Sequence, residues 1–418
     1  MSPLDYSLSR LNSVIEEIGR LKESEFPCLH TREALERLEE LFLQHHSSLS
    51  SLPLGKNRSI VDPLCSATLT DLFKYVPLLG FILRSTNVRN AFELYGPLLR
   101  LSQHVLGPDT KLIISSEWEQ YSPFTFREIA PLPNFVLIGI PAPESSNPLL
   151  IPLAGHELGH TIWRVRLLAS KYVQRIEEAI FARIESRLNE YNTLFPLHYV
   201  QKNQVQSNIF VKQNIAMPVQ WALKQCEEHF CDFVGLYLFD ESYFHAFAYL
   251  LAPHMAGQRS VLYPNTLTRV GKLIEAAGRY RAKSNSAYTV PQDYSDLFQD
   301  MAEVPAKEQH KKFLVSLADA GAASLTTALM DEADRLLSSS HVPQLSSAEK
   351  ERILKHFKFV VPAPNALSLC NILNAAWAVY HDRGFWKHIT RLTDPHRVLK
   401  ELVLKNVEVL EIEQILQK

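Results

Sequence analysis

Apolar residues near the start of the chain recur at three- and four-residue intervals. Leu11, Val14, Ile15, Ile18 and Leu21 line one face of a predicted helix, and Leu35, Leu38, Leu41 and Phe42 repeat the pattern. A Ser-rich stretch over 45–53, carrying His45 and His46, is expected to close this pair as an exposed loop. Helical patterns follow over about 63–83 and 88–106, and Gly107-Pro108-Asp109 signals a turn. The texture then changes. Residues 111–115, 124–129 and 134–140 are short runs rich in β-branched and aromatic residues, which predicts a small antiparallel sheet.

Asn147-Pro148 has the form of a helix start, with Asn as the cap and Pro in the first turn. A long helical pattern runs on to about residue 191, with a break near Lys171. Polar residues 201–213 read as an excursion, and Pro218 opens a helix to about Leu238. Residues 243–251 read as a buried core helix. Further helices are expected over 322–337, 348–357, 366–381 and 398–416. No internal repeat is visible.

Composition narrows the function classes. The 418 residues are 46% hydrophobic and 21% charged, as in a globular chain and unlike a disordered one. The 14 glycines are about half the usual ~7% share, which suits a helix-rich chain with few left-handed turns. Net charge is −2, without the concentrated basic charge that nucleic-acid binding requires. No secretory leader is read at the start, and no unbroken apolar run approaches the ~20 residues of a membrane span. The five cysteines are odd in number and scattered, so no disulfide framework is expected and the expected compartment is the cytoplasm.

The chemistry concentrates in two stretches. Gly155-His156-Glu157-Leu158-Gly159-His160 places two imidazoles four apart, on one helical face, where they can share a metal. Glu157 follows the first histidine, where a carboxylate can take a proton from water acidified by zinc. Trp163 and Arg166 stand where the metzincin pattern needs Gly and His, so that class is excluded. The second stretch is Cys226-Glu227-Glu228-His229-Phe230-Cys231-Asp232. Glu228 and Asp232 are four apart: Glu228 suits the third metal ligand, and Asp232 suits the free N–H of a ligand histidine. Glu227 competes for the ligand role, but its four-apart partner is Cys231. A structural metal at Cys226 and Cys231 is disfavoured, because five residues do not share a face.

H-E-L-G-H followed by E-x-x-x-D resembles the gluzincin zinc metallopeptidases. The 67 residues between His160 and Glu228 make the layout most similar to the CAAX prenyl endopeptidase group, with Cys231 in place of its small Ala and without its membrane spans. Gly235, one turn later, suits close helix packing. Tyr263-Pro264 through Arg269 resembles the H-P-x4-R stretch of that group, with Tyr263 replacing His. The resemblance implies one Zn²⁺ held by His156, His160 and Glu228, with Asp232 behind them and Glu157 as general base. Tyr263, His254 or Arg269 would contact the oxyanion, or Arg269 would pair with a carboxylate to hold the wall of the site. The strand over 135–140 is expected to offer an edge to an extended peptide or protein substrate.

The fold expected is α+β and predominantly α-helical. It comprises an N-terminal helical region (1–108), a zincin-like metallopeptidase core with a small antiparallel sheet (109–290) and a C-terminal helical region (291–418). The function expected is zinc-dependent peptide hydrolysis. The alternative is a latent or non-catalytic zincin scaffold whose helical flanks engage a regulatory protein partner.

Overall fold

The computed structural model describes residues 2–52, 58–86, 91–126, 129–252, 259–283, 288–300, 302, 305, 308–382, 384 and 394–417. Fourteen helices and one three-stranded sheet lie among them, and 73% of the described residues are helical, so the α-rich α+β class is the class observed. The chain divides into two compact units, Met1–Asn147 and Pro148–Lys418. This differs from the three regions expected: the strands belong to the first unit, and the C-terminal helices share the unit of the histidine motif.

The first unit holds α1 (Pro3–Lys22), α2 (Leu29–Ser50), α3 (Arg58–Arg84), α4 (Tyr95–Leu106), β1 (Lys111–Glu117), β2 (Phe124–Thr125) and β3 (Phe135–Pro141). Helix α1 starts where Ser2 and Asp5 satisfy each other's backbone amides in a capping box. Leu11 and Ile18 meet Leu35, Leu38 and Phe42 in the unit's core. Helix α2 does not stop at the Ser-rich stretch. Leu49, 2% exposed, extends its buried stripe by another turn, so burial overrides serine's weak helix preference and His45 is helical, 3.4 Å from Asp71.

The sheet order is β1-β3-β2. β1 and β3 are parallel and β2 is antiparallel to β3, which corrects the all-antiparallel expectation. Every residue of β3 is buried, as expected of a central strand. Its edge is already paired with β2 at Ile138 and Gly139, so the edge expected to receive substrate is taken there.

The second unit is built around one long helix. Its helices are α5 (Pro152–Val165), α6 (Leu168–Ser186), α7 (Leu188–Leu194), α8 (Ile209–Phe239), α9 (Glu241–Leu251), α10 (Thr266–Lys283), α11 (Gln309–Ser338), α12 (Ser347–Phe357), α13 (Leu369–His381) and α14 (Pro395–Leu416). α5, α6, α9, α10, α11 and α13 all pack on α8. The expected helix start at Asn147-Pro148 is a short 3-10 turn, and α5 begins at Pro152. The break expected near Lys171 falls at Leu167, whose left-handed backbone (φ 50°) turns α5 into α6. Helix α8 starts at Asn208, which accepts hydrogen bonds from the amides of Phe210 and Val211, and Pro218 lies inside it rather than opening it.

Among the described residues, two helices, α3 and α11, are long and apolar enough to cross a membrane. Charged or polar residues punctuate both, so neither is an unbroken apolar run. The inward side of α11 is spent on α6 and α8, with Gly321 against Ile176 and Ala222. α3 leaves Ile60, Leu64 and Phe73 exposed.

One ion cluster gives the second unit an acid-sensitive joint. Burial pushes the Glu241 carboxyl up, but its bond to His245 and the Lys350 ammonium at 2.7 Å pull it further down, to about 2. A carboxyl depressed on folding stabilises the fold above its unfolded value and loses that contribution as pH falls through the folded value. Wild type is therefore expected to lose more stability between about pH 4.5 and pH 2 than Glu241→Gln does, as read by urea unfolding at each pH.

Candidate metal centre

The site forms where α5 crosses α8, and two glycines make that crossing close. A Cβ on Gly159 would lie 2.7 Å from the Cys231 Cα, and one on Gly155 would lie 3.1 Å from the Gly235 Cα. The sequence G-H-x-x-G-H thus offsets the glycines from the histidines by one residue. Backbone meets backbone along the glycines, and the imidazoles emerge beside the carboxylates of α8. Gly159→Ala is expected to force the helices apart at a cost of about 1–3 kcal/mol. Thermal unfolding would show it, with weakened metal binding as the second readout.

His156, Glu157 and His160 are all buried, as are Glu227, Glu228 and Asp232. The His156 Nδ1 lies 3.0 Å from Asp232 Oδ1, and the His160 Nδ1 lies 2.9 Å from Glu227 Oε1. Each imidazole is therefore held by its own carboxylate. The Nε2 atoms both turn to Glu228, at 3.4 Å from Oε2 and 3.7 Å from Oε1. Glu227, considered from the sequence as a rival ligand, is instead the orienting partner of His160, and Lys224 holds its other oxygen at 2.8 Å.

Burial alone would keep His156 neutral. Its bonds to Asp232 and Glu228 outweigh burial and raise its imidazolium to about 10. Burial pushes Glu227 up, yet His160 and Lys224 bring it down to about 2. Asp232, also opposed by burial, is held well below the usual carboxylate range by Arg269 and His156.

Two residues brace Asp232 from behind. The Arg269 Nη2 donates to Asp232 Oδ1 at 2.8 Å and lies 3.5 Å from Glu228 Oε2. The Arg269 guanidinium is thus paired with carboxylates, one of its two expected arrangements, and Phe247 packs on its face. The Tyr243 hydroxyl donates to Asp232 Oδ1 at 2.7 Å. Tyr243 was not singled out from the sequence. The signal available was Gly235, where a Cβ would come within 2.3 Å of the Tyr243 ring. Tyr263 lies in the turn before α10 and is 45% exposed, with its carbonyl accepting from Arg259. His254 lies outside the described residues.

The donor set fits a divalent metal. Two imidazoles with their Nδ1 atoms committed to carboxylates present Nε2 as the ligand atom, beside a third carboxylate. Among the described residues, the grouping whose ligand atoms all lie within 4.8 Å of one another is His156, His160 and Cys231. Burial and the surrounding carboxylates hold the Cys231 thiol well above its ordinary value, which disfavours the thiolate a metal needs. Comparison of the chain with family models, with curated proteins and with solved structures finds no match.

Proposed function

We propose that the chain is a zinc-dependent metallopeptidase, with His156, His160 and Glu228 as metal ligands. The observation that carries this reading is the convergence of both Nε2 atoms on the two oxygens of Glu228 while separate carboxylates hold both Nδ1 atoms. Bound zinc would polarise a peptide carbonyl and acidify water. Glu157, next to His156 on α5, takes the proton from water and returns it to the leaving amine nitrogen. Asp232 and Glu227 fix the tautomer and direction of the two rings. Arg269 and Tyr243 keep Asp232 ionised and in place.

The test is metal content. Wild type is expected to carry one zinc per chain, and His156→Ala and Glu228→Ala to carry none. Cys231→Ala is expected to keep its zinc. Loss of zinc from Cys231→Ala with retention in Glu228→Ala would transfer the third-ligand role to the thiol and overturn this ligand set. Metal-free wild type after zinc add-back would remove the peptidase reading.

The burial of Glu157, 5% exposed, favours a second reading in which the scaffold is restrained until a signal or partner opens it. Zinc-loaded wild type that cleaves an unfolded protein supports the first reading, and full zinc loading without cleavage supports the second. Truncation from residue 300 would not separate them, because it strips α11 from α8.

A further inference from the structure

We propose that the loop following α12 docks the second unit on an anionic lipid surface. Helix α12 ends in a turn that glycine usually completes. The Val361 amide donates to the His356 carbonyl at 3.4 Å and the Val360 amide to the Phe357 carbonyl at 2.9 Å. This sets Val360 in the left-handed region, at φ 57°. Glycine adopts that backbone freely, whereas a β-branched residue is strained in it. The apolar residue after such a turn commonly packs back on the helix. Here Val361 is 44% exposed and Phe359 is 79% exposed, so the run Phe359-Val360-Val361 leaves its apolar surface in solvent.

The loop beyond is fixed at both sides. Asn406 of α14 accepts the Ala363 amide at 2.8 Å and donates to the Ala363 carbonyl at 3.3 Å. Arg352 of α12 donates to the carbonyls of Pro364 and Asn365 at 2.6 and 2.8 Å. Glu413 accepts the Asn365 amide, and Glu349 accepts the Leu367 amide. The side chains held this way are sorted against the usual order: Ala363 and Ala366 are buried, and Leu367 is 64% exposed. A loop anchored with its alanines inside and Phe359, Val361 and Leu367 outside presents apolar surface for an interaction.

Charge selects the partner. Lys355 and Lys358, a turn apart and exposed, have no ion-pair partner among the described residues. No carboxylate side chain occurs in the sequence between Glu351 and Asp382. Glu349 and Glu413, which reach the loop, are committed to its amides, and Glu349 also to Arg352 at 2.8 Å. The helix dipole accounts for cations in the last turn of α12, but not for the apolar residues beyond them. The combination suits the boundary of a bilayer: the apolar side chains enter between headgroups and acyl chains, and the ammonium groups stay among the phosphates. A phenyl ring exposed to this degree inserts into a partner rather than receiving one. The surface does not depend on the histidine cluster holding zinc.

The experiment is co-sedimentation of the purified full-length chain with vesicles of phosphatidylcholine alone and of an equimolar mixture with phosphatidylserine. Wild type is expected to bind the mixed vesicles, less tightly as salt rises, and to bind phosphatidylcholine alone more weakly. Lys355→Ala and Lys358→Ala are each expected to weaken binding by about fivefold. Phe359→Ser is expected to weaken it by about tenfold. All three positions are exposed, so unchanged thermal unfolding is expected and would show that the variants keep the fold. Wild type that does not bind the mixed vesicles would overturn the proposal. So would binding that survives Phe359→Ser, because charge alone would then hold the chain, or binding indifferent to both lysines. Self-association of wild type that Phe359→Ser abolishes, without vesicle binding, would assign the surface to a second copy of the chain and overturn the lipid reading.

Discussion

Glu157→Gln is expected to keep one zinc per chain and to lower hydrolysis of an unfolded protein substrate by about 100- to 10,000-fold. The amide preserves the size and burial of the side chain, so the crossing of α5 and α8 should survive. It removes the only group this reading assigns to proton transfer. The ligand histidines are held from α8 by Asp232 and Glu227, so the metal site should not register the change. Zinc content and turnover are measured on the same preparation. Wild-type turnover in the zinc-loaded variant would eliminate Glu157 as the base and leave the metal assignment intact.

Asp232→Ala is expected to be the most damaging single substitution for stability. Asp232 is 1% exposed and receives Arg269, Tyr243 and His156 together. Its removal leaves a buried guanidinium short of its main partner and a buried hydroxyl without an acceptor. Breaking one side of a buried ion pair costs about 3–5 kcal/mol. Urea unfolding of the metal-free protein would show it as a lower midpoint. The double variant Asp232→Ala, Arg269→Met should recover part of the loss, because it removes the stranded charge. If the double variant is no more stable than the single one, the loss does not come from the unpaired arginine.

Much of the site was legible because helical spacing is a local property. The four-residue steps from His156 to His160 and from Glu228 to Asp232 each define one face of one helix, whatever surrounds it. The preference for Glu228 over Glu227 as ligand also came from spacing, since only Glu228 has a carboxylate one turn on. What spacing could not say is which carboxylate serves which ring. That Asp232 holds His156 and Glu227 holds His160 depends on where two helices cross, and 67 residues lie between the motifs.

The same distinction accounts for the misread elements. Serines over 45–53 suggested a loop, but one buried leucine at position 49 carried α2 through them. Pro218 suggested a helix start, but α8 was already nine residues long and tolerates the missing hydrogen bond. The short runs at 111–115 and 134–140 marked strands correctly, yet the sequence of a strand does not state its partner's direction. The insertion of β2 on the far side of β3 leaves β1 and β3 parallel.

By itself the sequence determined the helical class, the faces that carry the histidines and carboxylates, and Gly235 as a small residue suited to close packing. Tertiary structure alone decided the pairing of Glu227 with His160 and the place of Arg269 and Tyr243 behind Asp232. The physical reason is range. Side-chain periodicity records how each helix is buried, whereas hydrogen bonds between helices depend on the depth and register at which they meet.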